Sequence, residues 1–117
     1  MARERQEPLE MSVSSAGSAK VLTISGSASM AEAAKLRTKL VELAAEDAPT
    51  IVLDLSRMDF IGSLGLGALI VGHLHARRRR GQLRLVNPTA QVLGVLETAN
   101  LTKVFPIYAT VDEAVKA

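Results

Sequence analysis

Apolar positions recur along this chain with two different periods, and the switches between them divide it into alternating strands and helices. Leu9–Ser15 and Lys20–Ser25 read as two short strands, and the small residues Ala16-Gly17-Ser18-Ala19 between them permit a hairpin. Gly26 closes the second strand. Ser29-Met30-Ala31-Glu32 has the S-x-x-E form of a capping box, and Ala33, Leu36, Leu40, Leu43 and Ala44 mark one face of a helix to about Glu46. Pro49 separates that helix from Ile51-Val52-Leu53-Asp54-Leu55, a run too short for a stable helix and rich in β-branched residues. It reads as a buried strand that a turn must follow. Leu66, Leu69, Ile70, Val71 and Leu74 then return at helical spacing, with Ser63 at the N-cap position and the helix ending at Gly81.

Leu83–Val86 reads as the next strand, Asn87-Pro88 as a turn, and Thr89–Thr98 as a helix with Val92, Leu93, Val95 and Leu96 inside. A last strand near Val104–Tyr108 precedes a second capping box, Thr110-Val111-Asp112-Glu113. Strands separated by helices predict an α/β fold of crossover units, with an antiparallel hairpin followed by largely parallel strands. Residues 1–8 are polar and charged and read as a flexible tail, which leaves 9–117 for the domain.

Composition narrows the picture. A chain of 117 residues has room for one core, and with 48% hydrophobic but only 3% aromatic residues that core is built from Leu, Val, Ile and Ala. Platforms of aromatic rings for stacking bases are therefore scarce. The absence of cysteine excludes disulfides and thiolate metal sites and fits a reducing compartment. MARERQEPLE lacks the apolar centre of a signal peptide, and no stretch approaches the ~18 apolar residues of a membrane span. A cytoplasmic protein without membrane insertion is expected.

The charged residues add no chemistry of their own. Arg77-Arg78-Arg79-Arg80 falls in the last turn before Gly81, where four cations oppose the negative helix end. A phosphate-binding surface draws on basic groups from several elements, and a net charge of +2 adds little, so direct nucleic-acid binding is not expected. His73 and His75, at i and i+2 on a helix, point to different faces, whereas a helical zinc pair needs i and i+4. Asp54 and Asp59 flank the loop before Ser63 without a third group to complete a catalytic set, and are expected to cap backbone or meet a partner. No enzyme constellation and no cofactor emerge.

The most informative stretch is Thr50–Leu69, TIVLDLSRMDFIGSLGLGAL, where a strand leads into a glycine-spaced helix start. A P-loop needs a lysine that is absent between Leu40 and Lys103. Gly62, Gly65 and Gly67 give G-x-x-G-x-G, which inverts the dinucleotide fingerprint, and adjacent Gly62-Ser63 puts a G-x-S-x-G elbow out of register. What remains is a serine at the positive end of a helix. A phosphate there, of roughly −1.5 to −2 charges, would be received by unpaired N–H groups and would spoil an apolar surface formed by Phe60, Ile61, Leu64 and Leu66. The same spacing fits a plain N-cap contributing about 1 kcal/mol, and spacing alone favours the cap.

DFIGSLGLGAL also resembles the signature of the STAS family, small domains typified by bacterial anti-sigma factor antagonists, in which an Asp-Ser-Ser-Gly-Leu-Gly run follows an apolar pair. Gly65, Leu66 and Gly67 match the Gly-Leu-Gly, and Phe60-Ile61 the apolar pair. Gly62 replaces the usual aspartate and Leu64 the usual second serine. VLTISGSAS, RRRRGQLRLVNP and TVDEAVKA resemble flanking elements of the family, so the likeness runs from about Leu9 to Ala117. The resemblance implies a single small mixed sheet with helices mainly on one face, and places the family's phosphoacceptor at Ser63. It implies an anti-sigma factor antagonist that holds an anti-sigma factor with serine kinase activity through Asp59, Phe60, Ile61, Gly62, Leu64, Gly65 and Leu66. Phosphate on Ser63 releases that partner, and a serine phosphatase resets the site. Nucleotide belongs to the kinase, so this chain needs no cofactor; a weak homodimer is compatible. Other readings left open are a constitutive STAS subunit of a lipid-transport ATPase or signalling scaffold, and a small nucleotide-binding protein.

Overall fold

The computed structural model describes residues 8–117; of the tail expected at 1–8, all but Pro8 lies outside the described residues. Five strands form one sheet in the order β1-β2-β3-β4-β5: β1 (Glu10–Ala16), β2 (Ala19–Ala28), β3 (Thr50–Ile61), β4 (Gln82–Val86) and β5 (Ile107–Tyr108). The hairpin β1–β2 is antiparallel and every later pair is parallel. Three successive crossovers carry helices α1 (Met30–Leu43), α2 (Ser63–Arg78) and α3 (Ala90–Thr98), and α4 (Val111–Lys116) follows β5. Crossovers that all step in one direction with one hand place their helices on the same face. Accordingly Leu36, Leu40, Leu69, Val92 and Leu96 share one core with Leu22, Leu53 and Leu85. Among the described residues the opposite face is covered by α4 alone, with Ala114 set against Val21, Val52 and Val86.

The turn expected after Leu55 does not occur. β3 continues to Ile61, and the register against β2 slips twice, between Thr23 and Ser25 and between Gly26 and Ser27. Leu55, Met58 and Ile61 are all buried yet spaced by three, which strict alternation forbids. Each slip is a bulge in β3 that restores the apolar residue to the core face. Asp54 holds the first one, its Oδ1 accepting from Ser56 N at 3.1 Å and Ser56 Oγ at 2.7 Å. Likewise β2 runs past Gly26, which adopts φ 87° at the second slip, and ends at Ala28.

Both helix ends expected from capping boxes differ in detail. Ser29 stands at the N-cap of α1 without a side-chain hydrogen bond, and Glu32 instead forms an ion pair with Lys35 at 3.4 Å. Thr110 does cap α4, accepting from Glu113 N at 3.1 Å, while Glu113 reaches back to Ala109 N at 3.3 Å. The last strand is shorter than expected: a 3₁₀ turn occupies Leu101–Lys103, and only Ile107–Tyr108 pair, since Pro106 has no N–H for a ladder.

The face that α2 buries is also not the leucine stripe. Gly65, Ala68, Leu69, Gly72 and Ala76 are buried, while Ile70 and Leu74 stand 39% and 48% exposed. Small residues let α2 approach α1 closely, and a Cβ at Gly72 would lie 2.9 Å from Leu40 Cβ. Two of the glycines in α2, Gly67 and Gly72, therefore have opposite expected outcomes. Gly67→Ala meets nothing within 4 Å and should stabilise the fold by about 0.5–1 kcal/mol. Gly72→Ala should destabilise it by about 1–3 kcal/mol despite the better helix former. Urea midpoints of the two variants test this.

Candidate functional site

Because β2, β3 and β4 run parallel, their C-terminal ends emerge on one rim of the sheet, and hydrogen bonds tie the three exits together. Gly62 N donates to Ala28 O at 3.3 Å, and Ile61 N donates to Gln91 Oε1 at 3.3 Å. Thr89 Oγ1 donates to Met58 O at 2.8 Å and accepts from Val92 N at 3.4 Å, so the residue that caps α3 also fixes the end of β3. Gly65 permits the close seating of α2 on this rim, since a Cβ there would come 2.7 Å from Ile61 Cγ1 and 3.2 Å from Ala28 Cβ.

The N-cap of α2 is Gly62, in extended backbone at φ −99°, and no side chain caps the helix. Ser63 is thus the first residue inside the helix rather than its cap, and it is exposed. The first N–H groups of α2 keep the positive end of the helix dipole without a side-chain acceptor. Among its neighbours Asp59 and Leu64 are exposed, Leu64 at 56%, whereas Phe60, Gly62 and Leu66 are half-buried. Ile61 and Gly65 are buried and shape the rim from beneath. Beside them the structure brings residues that the sequence pattern does not assign to the site: Met30, 76% exposed at the start of α1, which the Gly62 N–Ala28 O bond draws to this rim, Gln91, bonded to Ile61 N, and Val95, which shares a groove with Leu66. Leu66, Gln91, Gly94 and Val95 line a shallow apolar groove of about 510 Å³. Met30 was legible only as a helix-start residue, and Gln91 has no local signal because its partner is 30 residues away.

The remaining polar residues lie elsewhere. Asp54 is engaged with the β3 bulge. The arginine run is exposed at the far end of the 16-residue α2, about 24 Å of helix from Ser63, and Arg79 Nε donates to Glu46 O at 2.9 Å. His75 Nδ1 lies 3.0 Å from Val71 O, while His73 packs edge-on against Phe105 with ring centroids 5.3 Å apart. Among the described residues the buried Nδ1 of His73 has no hydrogen-bond partner. Burial, and secondly the charge of Arg77, hold the His73 pKa below its ordinary value.

That shift has a defined sign. The unfolded chain takes up the proton near pH 6.5, before the folded one does, so stability is full above that pH and falls as the pH drops below it. Urea midpoints at pH 7.5 and 5.5 should show the loss, and His73→Gln should reduce it; an unchanged pH dependence in that variant would exclude His73 as a source.

A mixed sheet with three crossover helices on one face, and an exposed serine at the first residue of α2 on the rim where the parallel strands end, defines a small α/β domain. Residues 10–114 match the family described as STAS domain, and the chain belongs to that family. A protein of Mycobacterium tuberculosis named as a candidate anti-anti-sigma factor, Rv2638, is 36% identical over 64 residues, 55% of this chain and 43% of its own length. BtrV of Bordetella bronchiseptica, named as a candidate anti-sigma factor antagonist, is 27% identical over 97 residues, 83% of this chain and 84% of its own. This chain therefore spans less than half of Rv2638 and most of BtrV. The crystal structure of an anti-sigma factor antagonist from Mycobacterium paratuberculosis superposes with a TM-score of 0.82 at 27% identity, covering 92% of each chain. Among the described residues no helix is long and apolar enough to cross a membrane.

Proposed function

We propose that this chain is a cytoplasmic anti-sigma factor antagonist that binds an anti-sigma factor through the rim around Ser63 and is switched off by phosphate on that serine. The observation that carries the reading is the exposed Ser63 at the uncapped start of α2, next to a 56%-exposed Leu64. The names of its relatives support the class of partner. The anti-sigma factor acts as a serine kinase: Ser63 Oγ attacks the γ-phosphorus of ATP bound to that partner, loses its proton, and ADP departs. A serine phosphatase returns the hydroxyl by hydrolysis. Asp59, Phe60, Gly62, Leu64 and Leu66 form the contact surface, and Ile61 and Gly65 hold its shape from below.

The two departures from the family signature have physical meaning here. With Gly62 at the N-cap, no carboxylate competes with a phosphate on Ser63 for the free N–H groups of α2. With Leu64, the docking surface gains an apolar contact, which makes a charge beside it more disruptive. The test is binding of the host's anti-sigma factor to wild type, Ser63→Ala and Ser63→Glu. Wild type and Ser63→Ala are expected to bind and Ser63→Glu to fail; equal binding by all three overturns the switch.

A further inference from the structure

The two edges of the sheet are built differently. On one side β5 contributes two residues and is preceded by Pro106, which limits what another strand can pair with. On the other, β1 runs for seven residues and pairs with β2 residue for residue from Glu10 to Ala16, without a bulge. No strand of the described residues pairs with its outer side. Edge strands are ordinarily protected by lysine, proline, bulges or shortness. β1 has none of these: between Glu10 and Ala16 stand Met11, Ser12, Val13, Ser14 and Ser15, with Val13 43% exposed.

We propose that β1 pairs antiparallel with β1 of a second copy of this chain, about a two-fold axis through Val13, joining two five-stranded sheets into one. In this register Val13 faces the partner's Val13, Ser12 faces the partner's Ser14, Met11 the partner's Ser15, and Glu10 the partner's Ala16. No other two-fold register uses all seven residues of the strand. It also fits the side chains. Val13 lies opposite the core residue Leu22, so it sits on the helix-bearing face, and the two copies of Val13 cover the surface that each leaves exposed. The two Glu10 carboxylates are held at opposite ends of the ladder, about 20 Å apart, so the strand meets itself without a like-charge contact. One short edge buries little area, and the association is weak and concentration-dependent. It leaves Ser63 free, because the rim lies at the strand ends and not along the outer edge of β1.

The absence of cysteine makes a clean test available. Val13→Cys places two thiols across the axis at a Cα separation of about 4.5–5.5 Å, within the ~4.4–6.8 Å range of disulfides. Ser15→Cys is the control, because the partner's Ser15 lies four residues along the strand, roughly 13 Å away. Under mild oxidation Val13→Cys should form disulfide dimers at least tenfold faster than Ser15→Cys. In sedimentation equilibrium the wild-type mass should rise from 12.4 kDa towards twice that value between about 10 µM and about 1 mM. Val13→Lys, which sets like charges across the axis, should stay at 12.4 kDa with an unchanged circular dichroism spectrum. Ser63→Glu should associate as wild type does, so this proposal and the phosphate switch fail separately. A wild-type mass constant over that range, or equal cross-linking at Val13 and Ser15, overturns it.

Discussion

Glutamate at position 63 is expected to weaken binding to the proposed partner, an anti-sigma factor, by at least about 100-fold, while alanine at the same position leaves the affinity within about threefold. Enclosing an unpaired carboxylate against apolar contacts costs a few kcal/mol, and each ~1.4 kcal/mol is a factor of ten in the dissociation constant. Leu64 and Met30 make the surface around Ser63 apolar enough for that cost to be felt. The free domain should not suffer. Ser63 is the first residue of α2, whose N-terminus carries no acidic residue, and a carboxylate there interacts favourably with the helix dipole. Loss of binding by Ser63→Glu with an undiminished melting temperature therefore isolates the interface from the fold. Alanine removes an exposed hydroxyl at a helix whose cap is Gly62, so little is lost. Phosphate carries roughly −1.5 to −2 charges against one for glutamate, so the modified protein should bind more weakly still. Calorimetric titration of the three forms checks this, and a Ser63→Glu affinity within threefold of wild type would rule out charge as the switch.

How far the sequence discloses this arrangement depends on the length scale of the force involved. Order and type of the elements follow from local periodicity, so the hairpin and the three crossovers were legible, whereas the single-faced layer of helices was implied by the resemblance to the STAS family. Three features were not, each for a separate reason. The spacing of Leu55, Met58 and Ile61 resembles the breakdown of a strand, because a bulge is defined by its partner across the ladder and β2 lies some 30 residues away. The leucines of α2 suggest the buried face, yet close approach to α1 at Gly72 and to the ends of β2 and β3 at Gly65 selects small residues, and Ile70 and Leu74 are left outside. Ser63 looked like a cap because serine favours that position; β3 instead continues to Ile61, so that Gly62 alone joins strand to helix and takes the cap. Of the candidate site, the loop was legible from its glycines, while Met30, Gln91 and Val95 join it only through the sheet.

The same distinction decides the glycine substitution expected to be most damaging. Gly81 looks like the left-handed stop of a helix, but that conformation belongs to Arg80, at φ 66°, and Gly81 is required for a different reason. Here the end of α2 is stitched to the connection that precedes β3. Gly81 N donates to Ala76 O at 2.6 Å, Gln82 N to Pro49 O at 2.8 Å, and Ala48 N to Arg79 O at 2.8 Å. A Cβ on Gly81 would overlap the carbonyl oxygen and the ring of Pro49. Neither can yield easily: the ring has fixed geometry, Pro49 is buried, and its carbonyl is already bonded to Gln82. Relief requires the first residues of β3 and β4 to separate where Thr50 pairs with Gln82, at the centre of the sheet. Gly81→Ala should therefore cost about 3 kcal/mol, the upper end of the range for overpacking, and lower the melting temperature by about 10 °C or more. Arg80→Gly, one residue earlier, should hold or raise it, since glycine adopts a positive φ without strain. A melting temperature for Gly81→Ala within about 2 °C of wild type would show that this junction yields, and that contact with Pro49 does not set the register of the central strands.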